Sequence, residues 1–305
     1  MSVWQPESDE TFIARAPVAF ATGEAMRVGG MRWFRDPQRN DIQDELAGWP
    51  TGPTYTARST GDTVARNTVK GVAIAAVVAV MGFLSAHGGN VGGDMSSDPG
   101  TRKSNDPADE VDDFPVMWAA PDTIARTLPW QLDPGRSSEK RYRTHAVVTD
   151  RRLVIVGFPY VKNSHSPIGD EFLWETPRSS IERIELRDFK LKHDAKIFFT
   201  DGSWCRLGSF RRERFTRYLI EPLDFIPLST LTPAQRNTAE TFAAAQAPDA
   251  QPPLVKRNLC GCFRIEVLAP SKVDALFGHS GLNTVMDPQG TELKLTEYHT
   301  EDFLT

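Results

Sequence analysis

Between residues 141 and 207, apolar and polar residues alternate in short runs cut by turn residues. Side chains on a strand point alternately to opposite faces, so this period of two predicts antiparallel β-structure, within which the β-branched run 152–158 reads as buried. Strands are predicted over residues 141–149, 152–158, 171–175, 181–186, 195–200 and 204–207. Asp150-Arg151 reads as the tight turn of a hairpin and Asp201-Gly202-Ser203 as a second turn. A further strand is predicted over residues 114–119, separated from the next by a long connection through Leu128-Pro129-Trp130. The period then changes: Phe215, Leu219 and Leu223 lie four apart, which predicts a helix over residues 210–223. Trp118, Trp130, Trp174 and Trp204 are expected to pack in or at the rim of the sheet core.

Seven short strands closed by one helix resemble a pleckstrin-homology (PH) domain. Thr149-Asp150-Arg151-Arg152-Leu153 is similar to the T-x-x-R-L hairpin of bacterial PH-like and GRAM-type domains, and the later Ile181-Glu182-Arg183-Ile184 and Phe198-Phe199-Thr200-Asp201-Gly202 follow in the same order. The resemblance covers about a third of the chain, residues 114–223. It implies a seven-stranded antiparallel barrel capped by a C-terminal helix. It also implies a docking or membrane-targeting role rather than catalysis.

Outside that region the chain divides by composition. Residues 1–63 show turn signals and no strong period, which predicts weak order, with a short helix near residues 22–26. Residues 64–87 hold an apolar helix whose Gly71, Ile74, Val78, Met81, Phe83 and Leu84 would touch membrane or mediate oligomerisation. Its apolar core falls just short of the roughly 18–20 residues that cross hydrocarbon comfortably. Small residues along it suit close helix packing, so a homo-oligomer is a second use. Residues 88–113 are rich in Gly, Ser and Asp and too poor in apolar surface to order themselves, so they read as an acidic linker. Residues 224–253 are read as a helix and linker, with Thr232 as N-cap and Pro233 in the first turn. Residues 254–305 form a small β-rich appendix, with strands near 263–268, 284–286 and 293–298 and a short helix at 271–277.

The net charge of −5 conceals an asymmetry, since residues 140–217 hold 17 Lys and Arg against 10 Asp and Glu. A basic module in an acidic chain fits an anionic partner or internal pairing. Lys140, Arg141, Arg143, Arg211, Arg212, Arg214 and Arg217 are the candidate anion-binding residues. A protein partner or an anionic lipid surface is expected, nucleic acid is not. Three cysteines make a poor disulfide framework, and the start of the chain lacks a basic-then-apolar leader, so a reducing, cytoplasmic setting is expected, with membrane association through residues 71–86 left open.

No catalytic constellation emerges. His145, Asp150 and Ser137 or Ser138 offer a nucleophile, base and orienter only on paper, since no Gly-x-Ser-x-Gly elbow is present. Gly88-Gly89-Asn90-Val91-Gly92-Gly93 lacks the Lys-Ser/Thr of a phosphate loop. Cys260-Gly261-Cys262 with His279 and His299 lacks the paired knuckles usual for structural zinc, so neither metal nor cofactor is expected. The leading expectation is a non-enzymatic adaptor. The alternative is a structural component of a larger bacterial assembly, with residues 71–86 as an interface helix.

Overall fold

A computed structural model describes residues 3–21, 23, 34–50, 115–133, 142–159, 169–189, 193–220, 222–246, 250–270 and 278–303. The apolar helix, with Gly71, Ile74, Val78, Met81, Phe83 and Leu84, lies outside the described residues, as do the acidic linker, the helix expected at 271–277 and, apart from Gly23, the one expected near residues 22–26. No helix among the described residues is long and apolar enough to cross a membrane.

The protein is mainly β, and its described strands fall into three sheets that divide between two compact units. The first unit comprises residues 1–17, 145–179 and 213–305; the second comprises 18–144 and 180–212. No single seven-stranded closed barrel forms among the described residues, which corrects that part of the expectation.

In the first unit, β1 (Phe12–Pro17), β5 (Tyr142–Thr149), β6 (Arg152–Pro159) and β7 (Glu171–Pro177) make a sheet in the order β1-β5-β6-β7. The strand beside β5 therefore comes from inside the stretch expected to be weakly ordered. All six residues of β1 are buried, so both faces are covered and the strand shows no alternation to read. Its register against β5 runs from Phe12 opposite Thr149 to Pro17 opposite His145.

The T-x-x-R-L hairpin has a local structural explanation. The Thr149 hydroxyl accepts the backbone N–H groups of Arg151 and Arg152 at 3.2 and 3.0 Å and donates to the Glu10 carboxylate. Arg152 grips the same carboxylate with Nε and Nη2 at 2.9 and 2.7 Å, and reaches Glu175 and Glu7 at 2.8 and 3.0 Å. The motif thus locks the β5–β6 turn to the segment that enters β1. Burial works against the Glu10 charge, but the hydrogen bonds from Arg152 and Thr149 prevail and hold its carboxyl below the ordinary value of 4.5. A group depressed in the folded state stabilises the fold fully above its unfolded value. That contribution is lost as pH falls below 4.5 and through the folded value. Acid unfolding of the full chain is expected to steepen below pH 4.5. In Glu10→Gln this part of the slope should disappear from urea titrations taken at successive pH values.

The second unit holds β2 (Ala19–Phe20), β3 (Phe34–Arg35), β4 (Met117–Trp118), β8 (Ile181–Arg187), β9 (Asp194–Phe199) and β10 (Trp204–Gly208). Their order is β3-β4-β10-β9-β8, with β2 also paired to β10. The strand expected at 114–119 is reduced to β4, parallel to β3 and antiparallel to β10. One face of this sheet carries Met117, Cys205, Leu207, Ile197 and Ala195, all buried. On the other, Lys196 lies between aromatic rings, its Nζ 3.8 Å from the Trp204 ring centre and 5.0 Å from that of Phe198. Trp118 stacks parallel to Trp204.

Helix α1 (Arg212–Ile220) follows β10 and buries Phe215, Tyr218 and Leu219. The apolar spacing was visible in sequence, although the helix ends before Leu223. Helix α2 (Pro233–Ala244) opens on a capping box, in which Thr232 accepts the Gln235 N–H while the Gln235 side chain accepts that of Thr232. It packs with β11 (Leu254–Arg257), β12 (Phe263–Ala269) and β13 (Ser280–Met286), an antiparallel sheet in the order β11-β12-β13. Their shared core is small: Leu231, Ala239, Val255, Phe263, Ile265, Val267 and Met286. The strand expected near 293–298 is instead a 3₁₀ turn at Leu295–Glu297.

Candidate functional site

Two groups of side chains bear on function, the expected basic patch and the cysteines. Among the basic residues, Lys140 and Arg141 lie outside the described residues, and Arg143 is half-buried on β5. Arg211 is exposed just ahead of α1. Arg212 is buried, pairs with Asp188 and donates to the Arg187 and Asp194 carbonyls at 2.7 and 3.2 Å. Arg214 donates to the His279 carbonyl at 2.9 Å and to Glu266 at 3.2 Å. Arg217 is half-buried, with its guanidinium 5.5 Å from the Tyr218 ring centre. Among the described candidates, Arg212, Arg214 and Arg217 each make separate structural contacts.

The basic excess of the central region has a similar fate. Arg151 pairs with Asp9 at 2.6 Å, Arg152 with Glu7 and Glu10, and Arg214 with Glu266. All these acids lie outside residues 140–217. Composition could not separate an external anion from internal pairing, and the structure shows internal pairing for these three arginines.

His145 and Asp150, drawn together in the sequence reading, each have structural partners. His145 is fully buried, and its Nδ1 accepts from Arg15 Nε at 2.9 Å. The nitrogen that would act as a base is thus occupied by a cation. Arg15 also makes a bidentate pair with Asp170 at 2.7 and 2.8 Å, and Asp170 accepts the Trp4 N–H at 2.7 Å. Asp150 accepts the Thr11 N–H at 2.8 Å. Ser137 and Ser138 lie outside the described residues.

The cysteines are arranged differently from the sequence drawing. Asn258 to Cys262 form the turn joining β11 to β12, with the Gly261 N–H bonded to the Asn258 carbonyl at 2.9 Å and the Asn258 N–H to the Cys262 carbonyl at 2.8 Å. Gly261 has φ +94°, a conformation that a side-chain-bearing residue rarely adopts. The turn brings both thiols beside His299, just ahead of the final 3₁₀ segment (Thr300–Phe303), and Asp302 within it. One ligand atom from each of Cys260, Cys262, His299 and Asp302 lies within 4.8 Å of every other. Cys262 Sγ is 3.7 Å from His299 Nδ1, Cys260 Sγ donates to Asp302 Oδ1 at 3.4 Å, and His299 Nδ1 is 3.4 Å from Asp302 Oδ2. Burial, with Cys260 beside it, pushes the Cys262 thiol up to about 11. His279, drawn into this group from sequence, instead stacks on Phe12 with ring centres 5.1 Å apart. Asp302 was the missed member. Its only sequence signal is the three-residue spacing from His299, which places both on one side of a 3₁₀ turn.

No protein-family model, curated protein or solved structure matches the chain.

Proposed function

We propose that this protein is a non-enzymatic docking module with a PH-like arrangement, and that it takes a protein partner as an extended segment added beside β8. The observation that carries this reading is the position of β8. It is the terminal strand of its sheet, and β9 is its one strand neighbour among the described residues. A terminal strand offers a row of backbone donors and acceptors to an incoming strand, with affinity from the main chain and specificity from alternate side chains. Glu182 and Arg183 have half-exposed side chains and Leu186 is exposed, so an added segment would meet both charge signs and an apolar anchor.

The PH-like reading is supported by strand order, since β5-β6-β7 and β8-β9-β10 succeed one another before α1. The internal ion pairs of Arg212 and Arg214, both candidates for a basic surface, favour a protein over an anionic lipid surface. A reducing, cytoplasmic setting goes with this reading and draws support from the free thiols Cys205, Cys260 and Cys262.

The test is photo-crosslinking of the full chain in its native cells, with a photoreactive residue replacing Arg183 or, as the control, Glu240 on α2. A discrete protein adduct from position 183 and not from 240 is the expected result. Position-independent labelling, or salt-sensitive flotation with anionic vesicles and no protein adduct, would reject the proposal.

A further inference from the structure

We propose that Cys260, Cys262, His299 and Asp302 form a structural zinc site that fastens the C-terminal end of the chain to the β11–β12 turn. Zinc binds Cys sulfur at about 2.3 Å and His nitrogen or carboxylate oxygen at about 2.0–2.2 Å, so the edges of its tetrahedron run to about 3.3–3.8 Å. The Cys262 Sγ–His299 Nδ1 separation of 3.7 Å falls among those edges, Asp302 approaches Cys260 through Oδ1 and His299 through Oδ2 at 3.4 Å each, and one ligand atom from each of the four residues lies within 4.8 Å of the others, so small side-chain shifts close the set around one ion. The donor set is also selective. Two sulfurs with one imidazole suit a borderline-soft tetrahedral ion, whereas magnesium and calcium demand oxygen-rich shells. Two thiolates and a carboxylate would carry three negative charges, and a divalent cation offsets most of them.

The surroundings hold the ligands in place. Asn258 Nδ2 donates to Asp302 Oδ1 at 2.6 Å and the His299 N–H donates to Oδ2 at 2.8 Å, so both oxygens of a fully buried carboxylate are oriented. Such outer contacts fix the direction of a ligand and usually matter 10–100-fold in metal affinity. Fastening also has a purpose here. The core formed by α2 and the β11-β12-β13 sheet contains seven buried residues.

The proposal is tested on the untagged full-length chain. Elemental analysis after purification without chelator is expected to give one zinc per chain. Replacing zinc with cobalt(II) should produce the intense visible bands of tetrahedral coordination together with thiolate-to-cobalt charge transfer. Cys260→Ser and Cys262→Ser should each abolish both signatures, whereas Cys205→Ala, which alters a buried thiol elsewhere, should keep them. Asn258→Ala should weaken zinc about 10–100-fold and perturb the cobalt spectrum without abolishing it, as expected of a positioning residue. Zinc at background with no tetrahedral cobalt spectrum would overturn the proposal. So would a mass two hydrogens light in the untreated protein, localised to a Cys260–Cys262 disulfide.

Discussion

Asp170→Ala is expected to destabilise the full chain by about 3–5 kcal/mol, because it leaves a buried guanidinium without its counter-charge. Arg15 and Asp170 have side chains 0% and 1% exposed, and their contact is bidentate. Removing the carboxylate strands the Arg15 charge against His145 Nδ1 and deprives the Trp4 N–H of its acceptor. Asp170→Asn should fall in the same range, since an amide keeps the shape but not the charge. Replacing both partners with apolar residues of similar volume, as in Arg15→Met with Asp170→Leu, should recover most of the loss. Urea denaturation followed by fluorescence, with a fixed slope across variants, decides the matter. Equal losses in the single and double variants would show that the pair matters through its shape rather than its charge.

A chain truncated to begin at Asp113 is expected not to fold, although it retains every strand legible from alternation. The truncation removes β1, where Phe12 and Ile13 are 4% and 0% exposed. Burial of two such side chains is worth about 3–6 kcal/mol. Loss of Arg15 leaves Asp170 unpaired, at a further cost of about 3–5 kcal/mol. Loss of Glu7 and Glu10 removes two carboxylates from Arg152 and leaves it Glu175. Together these approach the whole stability of an ordinary domain, about 5–15 kcal/mol. The expected readout is loss of the β-sheet circular dichroism signal and of cooperative unfolding. Cooperative unfolding by the truncated chain would mean that β1 decorates the β5-β6-β7 sheet rather than completing it. The same logic requires lipid-flotation and partner experiments to use the full chain.

The basic surface shows how a compositional signal resolves. Arg152 appears in sequence as one more cation in a surplus, yet it is surrounded by Glu7, Glu10 and Glu175. Lys196, which counts equally in the surplus, sits between the Trp204 and Phe198 rings. Net charge over a window sums residues without their neighbours, so it cannot separate a solvated patch from an internally paired one.

The sequence by itself determined the elements whose signals are local. Alternation marked the half-exposed β7 and β8, and β-branched or aromatic runs bounded by turn residues marked the more buried β5, β6, β9 and β10, to within a few residues. Apolar residues four apart marked α1, and Thr232 with Pro233 marked the start of α2, because capping is settled within four residues. Features that depend on distant partners emerged only on folding. It supplied β1 as the neighbour of β5, across 130 residues between Arg15 and His145. It assigned T-x-x-R-L to a clamp on Glu10, and it brought Asp302 rather than His279 to the two thiols. The physical reason is the same in each case. The partner of β1 lies 130 residues away, with no turn between them to mark the pairing, and a buried charge or a clustered thiol is defined by the atoms around it, which the chain supplies from far away in sequence.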